Sequence, residues 1–109
     1  MMNLYEAKKV TIITEKMILK GVCDIIDKCG ASGYTVVPAG GKGSRNIRST
    51  SEHASVIDDF ANVIVETIVK DIDTADAILK QTSEKYFNNY PGIAYIEDVK
   101  ILRPTKFKL

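Results

Sequence analysis

An antiparallel α+β sandwich is predicted for this chain by three observations. Four short stretches rich in β-branched residues alternate with two helical patterns in the order β-α-β-β-α-β. Glycine, asparagine and proline punctuate the boundaries between them. The length of 109 residues suits a single domain spanning residues 1–109.

The first strand is Lys8 to Thr14, where polar and β-branched residues alternate. Thr14 then caps a helix from Glu15 to Lys28, because Ile18, Val22, Ile25, Ile26 and Cys29 recur at helical spacing. Gly30 supplies the stop. Cys23 and Cys29 stand on different faces of that helix, about 9 Å apart along its axis at roughly 1.5 Å per residue. They cannot bridge each other there, and read as small core residues of a protein from a reducing compartment. Tyr34 to Ala39 is the second strand.

A long loop follows, from Gly40 to Asp59, with no sustained apolar period. Loops of this length inside compact domains are uncommon and commonly functional. Phe60 to Val69 is the third strand, with Val63, Ile64, Val65, Thr67, Ile68 and Val69 β-branched. Asp73 caps a second helix running to about Phe87, with Ala75, Ile78, Leu79, Thr82 and Tyr86 as its buried stripe. Asn88 to Gly92 is a turn, Ile93 to Leu102 is the last strand, and Pro104 ends it.

This order is the ferredoxin-like βαββαβ arrangement, a four-stranded antiparallel sheet with both helices on one face. The other face is left uncovered, yet the third strand is apolar on both sides. Ala61, Val63, Val65 and Val69 lie on one side, and Phe60, Ile64 and Ile68 on the other. A small domain with two apolar sheet faces is expected to bury the second against other copies of itself.

Composition excludes several classes. A hydrophobic fraction of 45% with 27% charged residues is that of a soluble globular protein. The net charge of +1 gives no general nucleic-acid-binding surface. No apolar run is long enough to span a bilayer, and the first residues lack a signal-peptide pattern, so the expected compartment is the cytoplasm. His53 is the single histidine, so no Cys/His cluster suggests a metal site.

The chemistry concentrates in Gly40-Gly41-Lys42-Gly43-Ser44-Arg45-Asn46-Ile47-Arg48, which packs three fixed positive charges and three glycines into nine residues. Glycines allow close backbone approach to an anion, and successive N–H groups in such a turn can cradle phosphate. The Arg45 and Arg48 guanidinium groups are forked donors that match phosphate oxygens. The segment is not a Walker A loop, because Lys42 is followed by Gly43 rather than Ser or Thr. A solvated basic surface loop is the competing reading of these residues alone.

Four stretches, Thr14-Glu15-Lys16, Gly33-Tyr34-Thr35-Val36, Gly40 to Ser49, and Lys85 to Tyr90 running into Gly92-Ile93, together resemble the PII-like signalling proteins. The similarity spans nearly the whole chain and is greatest to the SbtB type, the carbon-regulatory PII-like proteins of cyanobacteria. It implies a homotrimer with three nucleotide sites in the clefts between subunits. It also implies that residues 40–59 are the T-loop, the segment such proteins use to contact targets. Adenine nucleotides (AMP, cAMP, ADP or ATP) would bind at the base of that loop. Gly43, Ser44, Arg45 and Arg48 would hold the phosphate, Gly40 and Gly41 would belong to the same ligand site, and Tyr90, Gly92 and Ile93 would contribute from the turn before the last strand. Lys42 and Arg103 are further candidates, each with a solvated or surface-paired alternative. The implied target is the membrane bicarbonate transporter SbtA, reached through the loop without membrane insertion of this chain.

Departures from the nitrogen-sensing members refine the expectation. No tyrosine lies between Gly40 and Asp59, and the connection from Asn88 to Gly92 lacks a lysine for outer phosphates, which favours AMP-like ligands over ATP. The ending from Arg103 to Leu109 has no cysteine, so no redox switch is expected there. It is similar to the ending of carboxysome-associated PII-like proteins, sensors of adenine nucleotide and bicarbonate, which form the alternative reading. A small ferredoxin-fold hydrolase is disfavoured, because an acylphosphatase-like cradle needs arginine where Thr14-Glu15-Lys16 stands. An RNA-recognition module is disfavoured because Tyr5, Tyr34, Phe60 and Tyr95 do not form its aromatic pattern. The expected protein is therefore a sensor with no catalytic residues.

Ordering a backbone costs about 1–2 kcal/mol per residue. Two arginine–phosphate contacts at about 1.5–3 kcal/mol each cannot offset twenty such residues. Ligand is thus expected to order only the loop base, Lys42 to Arg48, and to leave the tip, Ser49 to Ser55, for a protein partner.

Overall fold

The computed structural model describes residues 3–41 and 61–102. Strand β1 spans Tyr5–Glu15, followed by a 3₁₀ turn at Lys16–Ile18 and helix α1 at Leu19–Lys28. Strands β2, Thr35–Ala39, and β3, Asn62–Val69, come next. Helix α2 spans Ile72–Tyr86, and β4 spans Gly92–Ile101. The four strands form one sheet in the order β2-β3-β1-β4, antiparallel throughout. This is the ferredoxin-like arrangement expected from the sequence.

The core lies between the sheet and the two helices. Val10 and Ile12 of β1 and Val63, Val65 and Val69 of β3 pack against Val22, Cys23 and Ile26 of α1 and Ala75 and Ile78 of α2. Ala94 and Ile96 of β4 and Val36 of β2 close its margins. Burying side chains of this size stabilises by about 1.5–3 kcal/mol each relative to exposure. Of the helical stripes read from sequence, Ile18, Val22, Ile25, Ile26, Ala75, Ile78 and Thr82 are buried, while Cys29, Leu79 and Tyr86 are partly buried against the core; Cys23 and Cys29 are both free thiols.

Helix α1 ends at a Schellman motif. Gly30 has φ of +93° and its N–H donates to the Asp27 carbonyl at 3.0 Å, while Ala31 N–H donates to the Ile26 carbonyl at 3.3 Å. The connection into β2 is then tied to the sheet by the Thr67 hydroxyl, which donates to the Gly33 carbonyl at 2.6 Å.

Helix starts differ from the sequence expectation. Thr14 does not cap α1, because β1 continues to Glu15 and the Thr14 hydroxyl is engaged elsewhere, donating to the Pro91 carbonyl at 2.9 Å. Asp73 does not cap α2 either. Asp71, in extended conformation, accepts from the Thr74 N–H at 2.8 Å, and Asp73 sits in the first turn, where its charge favours the helix dipole. That bond holds the Asp71 carboxyl below the ordinary aspartate value, first through the Thr74 backbone and then through its side chain. Burial raises both thiols above their ordinary range. At Cys23 a hydrogen bond with Tyr34 acts in the opposite direction.

Candidate functional site

Strand register gathers the ends of the 42–60 segment and the turn before β4 at one end of the sheet. Across that end, Ala39 pairs with Asn62 and Asn62 with Glu15. In the next row Pro38, Val63, Thr14 and Gly92 lie side by side. The Lys16 N–H donates to the Ala61 carbonyl at 2.8 Å, joining the exit of β1 to the entry of β3. Gly40 and Gly41 leave β2 here, both exposed, with open space where a Gly41 side chain would stand.

On the far side of the same end stands the turn into β4. The Asn89 and Tyr90 N–H groups both donate to the Tyr86 carbonyl, at 3.0 and 2.9 Å. Thr14 pins Pro91 from beneath. Gly92 passes so close to its neighbours that a Cβ there would come within 2.6 Å of Phe87 Cε1 and 3.0 Å of the Ile13 carbonyl oxygen. Glycine is required at this point by contact rather than by φ. The Tyr90 ring packs against the core and meets the Tyr86 ring edge-on, with centroids 6.3 Å apart. Ile93 presents its side chain on the sheet face away from the helices, in line with Ile13, and is 58% exposed.

The two halves of the predicted site are therefore at the same end of the sheet but at opposite edges of it. Three inter-strand spacings separate β2 from β4, about 14 Å. Leu102 closes the described chain at the other end, with the ten residues of β4 lying between, about 30 Å of strand. Lys42, Gly43, Ser44, Arg45, Arg48 and Arg103 lie outside the described residues.

Two residues not named as ligand-binding candidates from sequence belong to this end. Thr14 is buried and fastens the turn; its place in the β1 alternation, on the same face as Val10 and Ile12, was the available signal. Lys16, exposed at the start of the 3₁₀ turn, is a cation of the described residues at this end. Among the described residues, no group of three His, Cys, Asp or Glu could hold a metal ion. No described helix is long and apolar enough to cross a membrane.

Residues 7–106 match the family Nitrogen regulatory protein P-II. Similar solved structures carry the same fold along their full length. A PII-like signaling protein from Thermus thermophilus is 34% identical, with 97% of this chain and 99% of that chain covered and a TM-score of 0.77. CPII from Thiomonas intermedia, bound to ADP and bicarbonate, is 27% identical over 98% of this chain and 99% of that one, with a TM-score of 0.81. The same protein bound to ADP, AMP and bicarbonate, 27% identical over 98% of each chain, superposes with a TM-score of 0.79.

Proposed function

The chain belongs to the P-II family of nitrogen regulatory proteins, and we propose that it is a non-enzymatic sensor of adenine nucleotide acting on a protein partner through residues 40–59. The observation that carries this reading is its full-length similarity to CPII, a protein bound to ADP, AMP and bicarbonate. The nucleotide class follows from that similarity and from the composition of residues 40–48, whose three cations and three glycines suit a phosphate.

The active form is a homotrimer with its sites between subunits. A separation of about 14 Å between the β2 and β4 edges places Gly40-Gly41 and the Tyr90–Ile93 turn of one protomer too far apart for a single phosphate to touch both. Bringing the β2 edge of one subunit beside the β4 edge of the next removes that distance. Arg45 and Arg48 then grip the phosphate, with Gly43, Ser44 and Lys42 lining it, and the Tyr90–Ile93 turn closes the site from the adjoining subunit. Arg103 is a further phosphate donor in that cleft. Nucleotide identity biases the loop, and the loop biases partner binding, which is linkage between two sites.

Bicarbonate is the second ligand supported, because CPII is bound to bicarbonate as well as to ADP. That favours the sensor of adenine nucleotide and bicarbonate over one of nucleotide alone. A bicarbonate transporter of the SbtA kind is the partner that the SbtB-type resemblance supports, and cAMP is the further nucleotide to test. Calorimetry with AMP, ADP, cAMP and ATP, each with and without bicarbonate, tests the reading when run beside a turnover assay. Saturable binding without turnover supports the sensor. Sustained multiple turnover, or no binding of any of the four nucleotides, overturns it.

A further inference from the structure

At the end of the sheet away from the candidate site, β1 and β4 run on without β3. Pairing with β3 stops where Val69 meets Lys8, whereas β4 continues along β1 through Ala7–Val99 and Glu6–Lys100 to Tyr5–Ile101. These three rungs stand as a two-stranded ribbon, which is marginal in water unless a further strand or a helix supports it. None of Tyr5, Val99, Ile101 and Leu102 belongs to the core cluster. Strand β4 is also the outer strand of the sheet, so its far side carries a row of N–H and C=O groups with no strand beside it among the described residues. A β2 edge laid along it from another copy would cover half of it, since β2 has five residues and β4 ten.

Apolar side chains mark the same place. Leu4 and Leu102 are 49% and 48% exposed, and Tyr5 36%. Carried one residue past Tyr5–Ile101, the register sets Leu4 level with Leu102. By alternation both lie on the side of Val10, which the helices cover further along, so a contact across the opposite face of the sheet leaves them exposed. The chain goes on from Leu102 into Arg103-Pro104-Thr105-Lys106-Phe107-Lys108-Leu109, which lies outside the described residues. Pro104 suits the second position of a type I turn over Arg103 to Lys106. From Lys106 onward cationic and apolar residues alternate, which is the period of a half-buried strand. Such a turn sets Phe107 opposite Leu102 and on the same side of the sheet.

We propose that residues 106–109 return along the outer edge of β4 as a fifth strand, with Phe107 covering Leu102. Leu4, Leu102 and Phe107 then form one apolar row across the ribbon, and Arg103 stays in the turn. Tethering favours this occupant over any free one. A segment joined to the edge meets it at an effective concentration on the order of millimolar. The gain is that of one cross-strand pair and a few ladder bonds, so the strand opens without unfolding of the domain.

Hydrogen exchange of the full-length protein, followed in the stretch from Val99 to Leu102, reads this out. Phe107→Ser is expected to speed exchange there by about fivefold and to leave Val10 to Ile12 unchanged. Leu102→Ser should do the same, and Phe107→Leu should stay close to the natural protein. Lys108→Ser, on the other side of the added strand, should change the rate by less than about twofold. Circular dichroism checks that each variant is folded. If Leu102→Ser does not fold, the two substitutions at position 107 decide, since they lie beyond the described sheet. Equal exchange in the natural and Phe107→Ser proteins overturns the proposal, as does an effect of Lys108→Ser as large as that of Phe107→Ser. Protection that persists through a dilution series supports the chain's own segment as the occupant. Protection that is lost on dilution assigns the edge to another chain and overturns it.

Discussion

The Tyr86 phenol of α2 occupies the space that a side chain on Gly21 of α1 would need. A Cβ at position 21 would collide with the hydroxyl and lie 3.2 Å from ring carbon Cε2. The absence of a side chain at Gly21 therefore sets how closely the two helices approach. Alanine favours a helix interior over glycine by about 1 kcal/mol. Displacing a packed ring commonly costs about 1–3 kcal/mol. The Tyr86 ring also supports Tyr90 edge-on and carries the Lys85 ammonium 5.5 Å from its centroid, so it cannot move alone. Gly21→Ala is expected to destabilise the fold by about 1 kcal/mol in denaturant unfolding. In a Tyr86→Leu background the same change should become neutral or stabilising, a coupling that the double-mutant cycle measures.

Thr14 joins the sheet to the turn before β4, and its removal should be felt at both. Thr14→Val keeps the shape and deletes the hydroxyl that donates to the Pro91 carbonyl. Leaving that acceptor without its partner costs about 1–2 kcal/mol. Thr14→Ser retains the bond and should lose less. If the turn forms part of the nucleotide site, calorimetry should also show weaker AMP binding by Thr14→Val than by Thr14→Ser. Equal affinities would separate the turn from the site.

The legible parts of this fold were those governed by period. Alternation in β3 separates Val63, Val65 and Val69, which are buried under the helices, from Ile64 and Ile68, which are half-exposed on the other face. The stripe of α1 was legible for the same reason. Helix starts were not, because they depend on which of several capable side chains meets a free N–H. Asp71 and Asp73 are chemically equal in sequence, and only the extended backbone at Asp71 decides between them. Thr14 was similarly ambiguous until register placed Pro91 beside it. Within the candidate site, the glycine and arginine cluster was legible as composition. The separation of its two halves across the sheet depends on strand order, which no local motif encodes.

Asp71 gives a pH signature at the start of α2. Its carboxylate accepts the Thr74 N–H, which lowers its folded value below the ordinary one. A group depressed in this way stabilises the fold fully above its ordinary value and loses that contribution as pH falls through the folded value. Asp71→Ala should thus melt below the natural protein at neutral pH, with the gap narrowing as pH is lowered stepwise through and below the ordinary carboxylate range. Asp71→Asn, a neutral cap, should hold a nearly constant gap to Asp71→Ala across the same range. A gap between the natural protein and Asp71→Ala that does not change with pH would show that the carboxylate charge contributes nothing there.

Whether the proposed nucleotide site is shared between subunits can be tested by mixing two defective chains. Arg48→Ala removes a proposed phosphate donor and leaves the turn before β4 intact. Gly92→Ala forces that turn away from Phe87 and from the Ile13 carbonyl, whose backbone position is fixed by the sheet, and leaves Arg48 intact. Each homotrimer should bind AMP more than about tenfold weaker, because each loses a charge-assisted contact or its geometry in every site. Co-refolded in equal amounts, the chains assemble at random. A site built from the β2 edge of one subunit and the β4 edge of the next then receives two intact halves about one time in four. Calorimetry of the mixture should recover a high-affinity class of that size. Sites contained within single subunits would recover none, since every subunit in the mixture carries one defect.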